Sequence, residues 1–331
     1  MAGNTTSTIT QAVNYFYDRN MLARAQPADV HGRFGQKRPL PQGNGTAVKF
    51  RRYDQLSAAT TPLQEGVTPA GSSESVTDIT ATVYGYGNYV THTDLLQLTT
   101  LDPYITEMSG VLGDQAGTSI DQVRRDVLVA GTNVAYASGV ANRLALVNKI
   151  SSTDLDKAIR FLNGQNAKFL RDEISASNKI ATSAVRKAYV AVIHPDVEFD
   201  LDNSVTGYKS VSDYSSGMDV MENEVGSYKN IRFVTSTNAK IWTNATTATT
   251  AGYKATGVGT NDVYATLIFA ANAYGVIDLA GNALKTIIKQ VGNAGASDPL
   301  DQRGSIGWKA YTTTAILNQS WMIRLESLAT A

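Results

Sequence analysis

Residues 103–130 constrain the fold of this chain more than any other stretch. Ile105, Met108, Leu112, Ala116, Ile120, Val123 and Val127 recur at steps of three and four, which gives one continuous apolar face. Asp102 suits the N-cap, Pro103 the first turn and Gly131 the C′ position. At ~1.5 Å per residue such a helix runs to about 42 Å, long for a small domain and suited to a spine along which other elements pack. The chain has 331 residues and is 43% hydrophobic, enough for a real core and for two or three domains.

Upstream of the helix the pattern is extended. After a short helical hint at 15–25 comes VHGRFGQKRPLPQGNGT, with two prolines, four glycines and little apolar periodicity. Residues 1–50 are therefore expected to add few apolar contacts to the chain's own core and to be ordered by a partner. From Ala47, AVKFRRYDQL alternates, with Val48, Phe50 and Arg52 opposite Lys49, Arg51 and Tyr53. A tip rich in Pro, Gly, Ser and Thr follows, then a second strand-like run, TDITATVYGYGNYVTHTDL. Two long strands around a polar tip read as a protruding hairpin, which needs something to lie on.

Downstream the elements are short. Thr153 with Asp156 approximates a capping box before Leu155, Ile159 and Leu162, and Gly164 closes that helix. AYVAVI reads as a buried strand, and His194-Pro195-Asp196 opens a turn or helix carrying Val197, Phe199 and Leu201. Residues 204–226 read as a long polar loop, and the Thr/Ala/Gly-rich 240–260 stretch as an exposed insertion. NIRFVTST, VYATLIFA, YGVIDLA and KTIIKQV read as strands, and 308–317 with 321–325 as a closing hairpin. The expected class is α+β.

Charge is balanced in total, 29 Lys+Arg against 29 Asp+Glu, which argues against coating nucleic acid by bulk charge. Its distribution is uneven. Residues 1–52 hold eight basic and two acidic residues, whereas 53–121 hold nine acidic and none basic. Either the basic arm faces a polyanion, or it lies against the acidic segment of another copy, or both blocks are solvated surfaces of one monomer.

The residues offer little chemistry. Cysteine is absent, which excludes disulfides, thiolate metal sites and Cys nucleophiles. His31, His92 and His194 are far apart and none has a second ligand at helical spacing, so no metal site is expected. Gly207-Tyr208-Lys209-Ser210 lacks the upstream glycine and strand of a phosphate loop, and Gly85-Tyr86-Gly87 sits inside a strand. No GxSxG elbow occurs. Asp196, Glu198, Asp200 and Asp202 alternate with apolar residues as a solvated face would. The start, MAGNTTSTIT, has neither a basic n-region nor an apolar h-region, and no stretch approaches ~18 apolar residues, so neither a secretory signal nor a membrane span is expected. Sixteen tyrosines without basic–aromatic interleaving fit protein–protein interfaces better than single-stranded bases.

Short matches in order along the chain point to one family. They are His31-Gly32-Arg33-Phe34-Gly35, then Gly45 to Arg52, Thr61-Pro62-Leu63, Glu65-Gly66-Val67-Thr68-Pro69 and Tyr86-Gly87. Ile120-Asp121, Ala130-Gly131-Thr132-Asn133 and His194-Pro195-Asp196 follow, and Asp298 to Gly304, Gly307-Trp308-Lys309-Ala310 and Arg324-Leu325-Glu326 complete the set. The chain resembles the major capsid proteins of tailed bacteriophages with the Hong Kong 97-type fold, and within them the N4-like branch. The match is weakest at 204–220 and 240–260.

That resemblance implies an N-terminal arm (1–50), an extended loop (47–95), a spine helix with a peripheral domain (96–185), an axial domain (186–300) and a return to the peripheral domain (301–331). It implies no enzymatic activity and no cofactor. It implies self-association into hexamers and pentamers of an icosahedral shell, made in the bacterial host cytoplasm and enclosing double-stranded DNA contacted without sequence preference. Scaffolding, portal and decoration proteins are the further partners it suggests. Arg33, Arg38, Arg51, Arg52, Glu65 and Glu74 become the expected intersubunit contacts. An encapsulin-like compartment shell, an α+β carbohydrate-active enzyme and a tail or surface-layer protein are the competing readings.

Overall fold

The apolar stripe of 103–130 forms the expected helix, and a sheet lies along its first half. The computed structural model describes residues 29–331 except 44, 55, 100–102, 176–183, 216–218, 248, 258, 281–283, 292–299 and 301. The helical hint at 15–25 and the expected N-cap Asp102 therefore lie outside the described residues. In chain order, β1 is Gln36–Lys37, β2 Ala47–Tyr53, β3 Val76–Thr82 and β4 Tyr84–Thr93. Helix α1 (Asp94–Thr99) and the long helix α2 (Tyr104–Val129) follow, then β5 (Val134–Tyr136) and α3 (Ser152–Gly164). Next come β6 (Tyr189–Ile193), α4 (Pro195–Ser204), β7 (Tyr208–Ser210), β8 (Glu224–Tyr228), β9 (Ile231–Thr235) and β10 (Ile241–Trp242). The chain closes with β11 (Val263–Phe269), β12 (Tyr274–Asp278), β13 (Lys285–Lys289), β14 (Arg303–Ile316) and β15 (Met322–Ser327).

Three sheets result. The first runs β1-β12-β14-β13, with β4 along the other edge of β14. Leu112, Ala116 and Ile120 of α2 pack on Ile306, Trp308 and Ala310 of β14, joined by Tyr86, Val90 and Ile288. Buried Ser109, Gly110, Gly113 and Gly117 let the helix approach closely. The second sheet runs β5-β15-β11-β6-β9-β8-β7, with β10 beside β11. β6 is buried throughout, and its period-2 alternation serves two cores. Tyr189, Ala191 and Ile193 face α3 and α4 through Leu155, Ile159, Leu162, Val197 and Leu201. Val190 and Val192 face Val30, Phe34 and the last turn of α2, Leu128 and Val129. Helix α2 thus ties the two sheets together. The third sheet is the β2–β3 pair alone.

Several expectations need correcting. Residues 29–50 are not poor in core contacts, since Val30, Phe34, Leu40, Val48 and Phe50 are all buried. The second hairpin strand breaks at Val83: β3 stays with β2, whereas β4 leaves to pair with β14 over ten residues. Residues 308–317 and 321–325 are not a hairpin, because β14 and β15 belong to different sheets. Gly131 does not take a left-handed cap. Its missing Cβ instead makes room for Met322 and the Leu128 carbonyl. Ser151, not Thr153, caps α3, pairing with Asp154 one frame upstream. The 204–226 loop contains β7 and the start of β8. The 240–260 stretch is held from within, since buried Asn261 donates to the carbonyls of Thr250 and Tyr253.

The run Asp196 to Asp202 is no uniformly solvated face. Asp200 is fully buried and accepts from the Thr330 backbone N–H (2.9 Å) and hydroxyl (2.5 Å), and Asp196 accepts from Lys254 and Tyr264. A helix does start at His194-Pro195-Asp196, and His194 caps it by accepting from the Asp196 N–H.

His92 yields a pH-dependence. Its ring is buried against Tyr104, where α2 begins, and neither nitrogen has a hydrogen-bond partner among the described residues. Burial holds its pKa below the ordinary 6.5. The unfolded chain then binds more protons than the folded one below that pH, so stability falls as pH drops through about 6.5. His194 is lowered too, mainly by burial. His92→Phe should flatten part of the decline in melting temperature between pH 6.5 and 5. An unchanged slope in the variant would exclude His92 as its source.

Candidate assembly surface

The hairpin β2–β3 is built to stand away from the body. Its pairing runs in register from Ala47↔Thr82 to Tyr53↔Val76, and only its base finds a core. There Val48, Phe50 and Ala81 pack on Ile277, Leu317 and Leu40. Gly275 is required beneath Phe50, because a Cβ there would come within 2.7 Å of the ring. From Leu56 to Val76 the chain is exposed throughout. Leu56, Leu63 and Val67 are 54%, 80% and 60% exposed, an apolar load for which the hairpin itself has no cover. After β4, α1 has no buried residue, and its Leu95 and Leu98 are also exposed.

The charges divide into two groups. Arg51 Nε pairs with Asp78 at 3.1 Å across the hairpin, and Arg52 Nε with Asp54 at 3.2 Å. Arg52 Nη1 also donates to the Leu317 carbonyl. The hydrogen bond from Arg51 draws the Asp78 carboxyl below its ordinary value. Arg33 reaches Glu222 at 3.1 Å, and Arg38 lies over the Phe50 ring while donating to the Lys49 carbonyl. Four of the six expected contact residues are thus engaged within the chain, and two pairs, Arg51–Asp78 and Arg52–Asp54, join the basic block to the acidic one. Glu65 and Glu74 differ. Both are exposed on the tip, and neither has an ion-pair or hydrogen-bond partner among the described residues.

The structure therefore does not gather the six residues into one site. It presents an acidic, apolar-studded tip on an anchored base. The apolar members of the tip escaped sequence reasoning because they follow no period; their only signal was Leu and Val inside a Pro/Gly loop. Among the described residues no cluster of His, Asp and Glu could hold a metal ion, and no helix is long and apolar enough to cross a membrane.

No protein-family model matches the chain, and no curated protein matches it by sequence. Solved structures do. The capsid of Ralstonia phage GP4 aligns with a TM-score of 0.67 at 11% identity, over 90% of this chain and 88% of that one. The capsid of Cyanophage P-SCSP1u aligns with a TM-score of 0.60 at 17% identity, over 90% and 87%. The Cyanophage Pam1 capsid gives 0.59 at 10%, over 94% and 93%. The chain has the fold of phage capsid subunits. The agreement extends over nearly the full length of both partners.

Proposed function

We propose that this chain is the major capsid protein of a tailed bacteriophage, of the Hong Kong 97 type, with the N4-like branch as the lineage its sequence resembles. The observation that carries the reading is the near full-length likeness to phage capsid structures in a chain whose hairpin tip lacks a core of its own. Copies associate into hexamers and pentamers of a closed icosahedral shell around double-stranded DNA. In that shell α2 is the spine, β2–β3 the extended loop, the β4–β14 sheet the peripheral domain and the β6–β11 sheet the axial domain, an assignment that moves β12 and β13 out of the expected axial stretch 186–300 and β5 and β15 out of the expected peripheral stretches 96–185 and 301–331. Scaffolding and portal proteins act in assembly in the host cytoplasm, and a decoration protein can add to the finished shell. Closed symmetry repeats every intersubunit contact, so weak contacts sum to a stable particle.

Electron microscopy and light scattering of the expressed protein should show capsomers or shells. A 35 kDa monomer under every condition, including with the phage's other virion proteins, would refute the proposal. Particles packed with a protein cargo would mark a compartment shell instead. Mature particles boiled in detergent should run as a single band near 35 kDa. The chain has no lysine between Lys49 and Lys149 and no cysteine, so the hairpin tip carries neither an amine nor a thiol for a covalent link.

The tip carboxylates give a sharper test. Glu65→Lys with Glu74→Lys should leave subunit melting unchanged, since both are exposed and without partners in the chain. Assembly should weaken, because each lost contact of ~0.2–1 kcal/mol recurs at every subunit. Equal assembly yield at low and high salt in variant and parent would show that the tip charges touch nothing.

A further inference from the structure

The motif beginning at Asp29 contains the most unusual group of charges in the molecule. His31 is fully buried; its backbone N–H and its Nδ1 both reach Asp121 Oδ1, at 2.8 and 2.9 Å. Asp121 is itself fully buried on α2, with Arg124 one turn further along at 6% exposure. Arg124 Nη1 pairs with Asp29, while Nη2 donates to Asp278 of β12 at 2.9 Å and to Thr312 of β14 at 3.0 Å. Asp29 also accepts from the Gly32 N–H, and the Tyr274 hydroxyl donates to the His31 carbonyl at 2.5 Å. A side chain on Gly32 would collide with Arg124 and the Asp29 carboxylate, so the loop closes this tightly only with glycine. One guanidinium thus touches three segments that are distant in sequence: the entering chain, β12 and β14.

This arrangement is poor value as a source of stability. Three carboxylates share one guanidinium and one imidazole. His31 Nε2 and Arg124 Nε are buried without a hydrogen-bond partner among the described residues. Buried ionic clusters of this kind commonly do no better than apolar side chains of the same volume, and orphaned polar atoms add cost. Val30 and Phe34, both buried beside the cluster, already supply adhesion. Apolar contact is non-directional, however, and does not fix register. Hydrogen bonds from one rigid fork to three elements do. Burial alone would raise the Asp121 carboxyl, yet the His31 contacts hold it below its ordinary range, so that carboxylate stays charged.

We infer that Asp121 and Arg124 are positioning residues, which fix where residues 29–34 cross α2 relative to the sheet of β12 and β14, on which the base of the hairpin packs. The subunit would then present its N-terminal segment and its hairpin in one relation. The geometric claim stands on the single chain; its consequence for a uniform shell rests on the capsid reading above.

The test compares two variants in a background carrying spin labels at Arg33→Cys and Val111→Cys, where the lack of native cysteine makes labelling specific. Arg124→Met alone strands the carboxylates and should lower the melting temperature by roughly 4–7 °C. A neutral knot, Asp29→Asn, Asp121→Asn, Arg124→Met and Asp278→Asn together, should melt within a few degrees of the parent. Its label-to-label distance distribution should nonetheless be broader or displaced. A distribution as narrow as the parent's, at the same mean, would overturn the inference, because the apolar anchors would then suffice. A neutral knot that melts as low as Arg124→Met, or does not fold, would overturn it too by making the cluster a stability element. Both measurements are made on the subunit, so their failure is separate from any failure to form particles.

Discussion

A chain lacking residues 1–50 should show no cooperative melting transition, measured against one lacking only residues 1–28, which keeps every buried contact named below. The difference lies in what 29–50 bury. Val30, Phe34, Leu40, Val48 and Phe50 are between 2% and 8% exposed and are shared between two separate cores. At about 1.5–3 kcal/mol for each fully buried side chain, their loss amounts to roughly 8–15 kcal/mol. Net stabilities of folded proteins are themselves about 5–15 kcal/mol. The longer deletion also removes the four residues of β2 that pair with Ile79–Thr82 of β3, and the Asp29 side of the Arg124 cluster. Circular dichroism melts of the two truncations decide the matter. A cooperative transition in the longer truncation within a few degrees of the parent would show that this segment is only laid on the surface.

The same segment shows what the sequence could and could not reveal. Elements whose signal is local were legible: the stripe of α2, the all-buried β6 and the start at His194-Pro195-Asp196 were visible as period, composition and a proline start signal. Residues 29–40 were misjudged because they have no period. Their buried side chains are singletons in a Pro/Gly-rich run, each seated by a partner from far along the chain, as Phe34 is beside Val276. The split between β14 and β15 was illegible for a related reason. Asn318-Gln319-Ser320 looks like a hairpin turn, but the N–H groups of Leu317 and Asn318 both donate to the Ala273 carbonyl, which turns the chain toward the other sheet. Pairing of β14 with β4 closes a loop of some two hundred residues, and no local pattern encodes that. At the candidate site, the tip carboxylates were identifiable as unpartnered charge. Arg51 and Arg52 were not, since their partners Asp78 and Asp54 lie in the block that was read as facing another copy.

The other large effect is expected at Glu326, where the two sheets meet the end of α2. Glu326 is fully buried on β15. It accepts from Arg143 through Nε at 2.6 Å and Nη2 at 2.8 Å, and from Arg324 Nε at 2.8 Å. The Arg143 guanidinium lies 3.6 Å from the Trp242 ring centre, which covers it from water. Arg324 turns its Nη1 to the Val129 and Gly131 carbonyls, groups that the end of a helix leaves without partners. A cation there also meets the negative end of the helix dipole. Glu326 therefore orients the side chain that caps the long helix and neutralises two partly buried cations at once. Glu326→Ala leaves both guanidiniums uncompensated and should cost about 3–5 kcal/mol, a fall of roughly 4–7 °C in melting temperature for a chain of this length. Glu326→Gln keeps the shape and an acceptor oxygen and should lose less. Arg160→Ala, an exposed change on α3, is the control and should melt with the parent. If Glu326→Ala melts with that control, the three side chains do not act as a unit, and the end of α2 is held by Leu128 and Val129 alone.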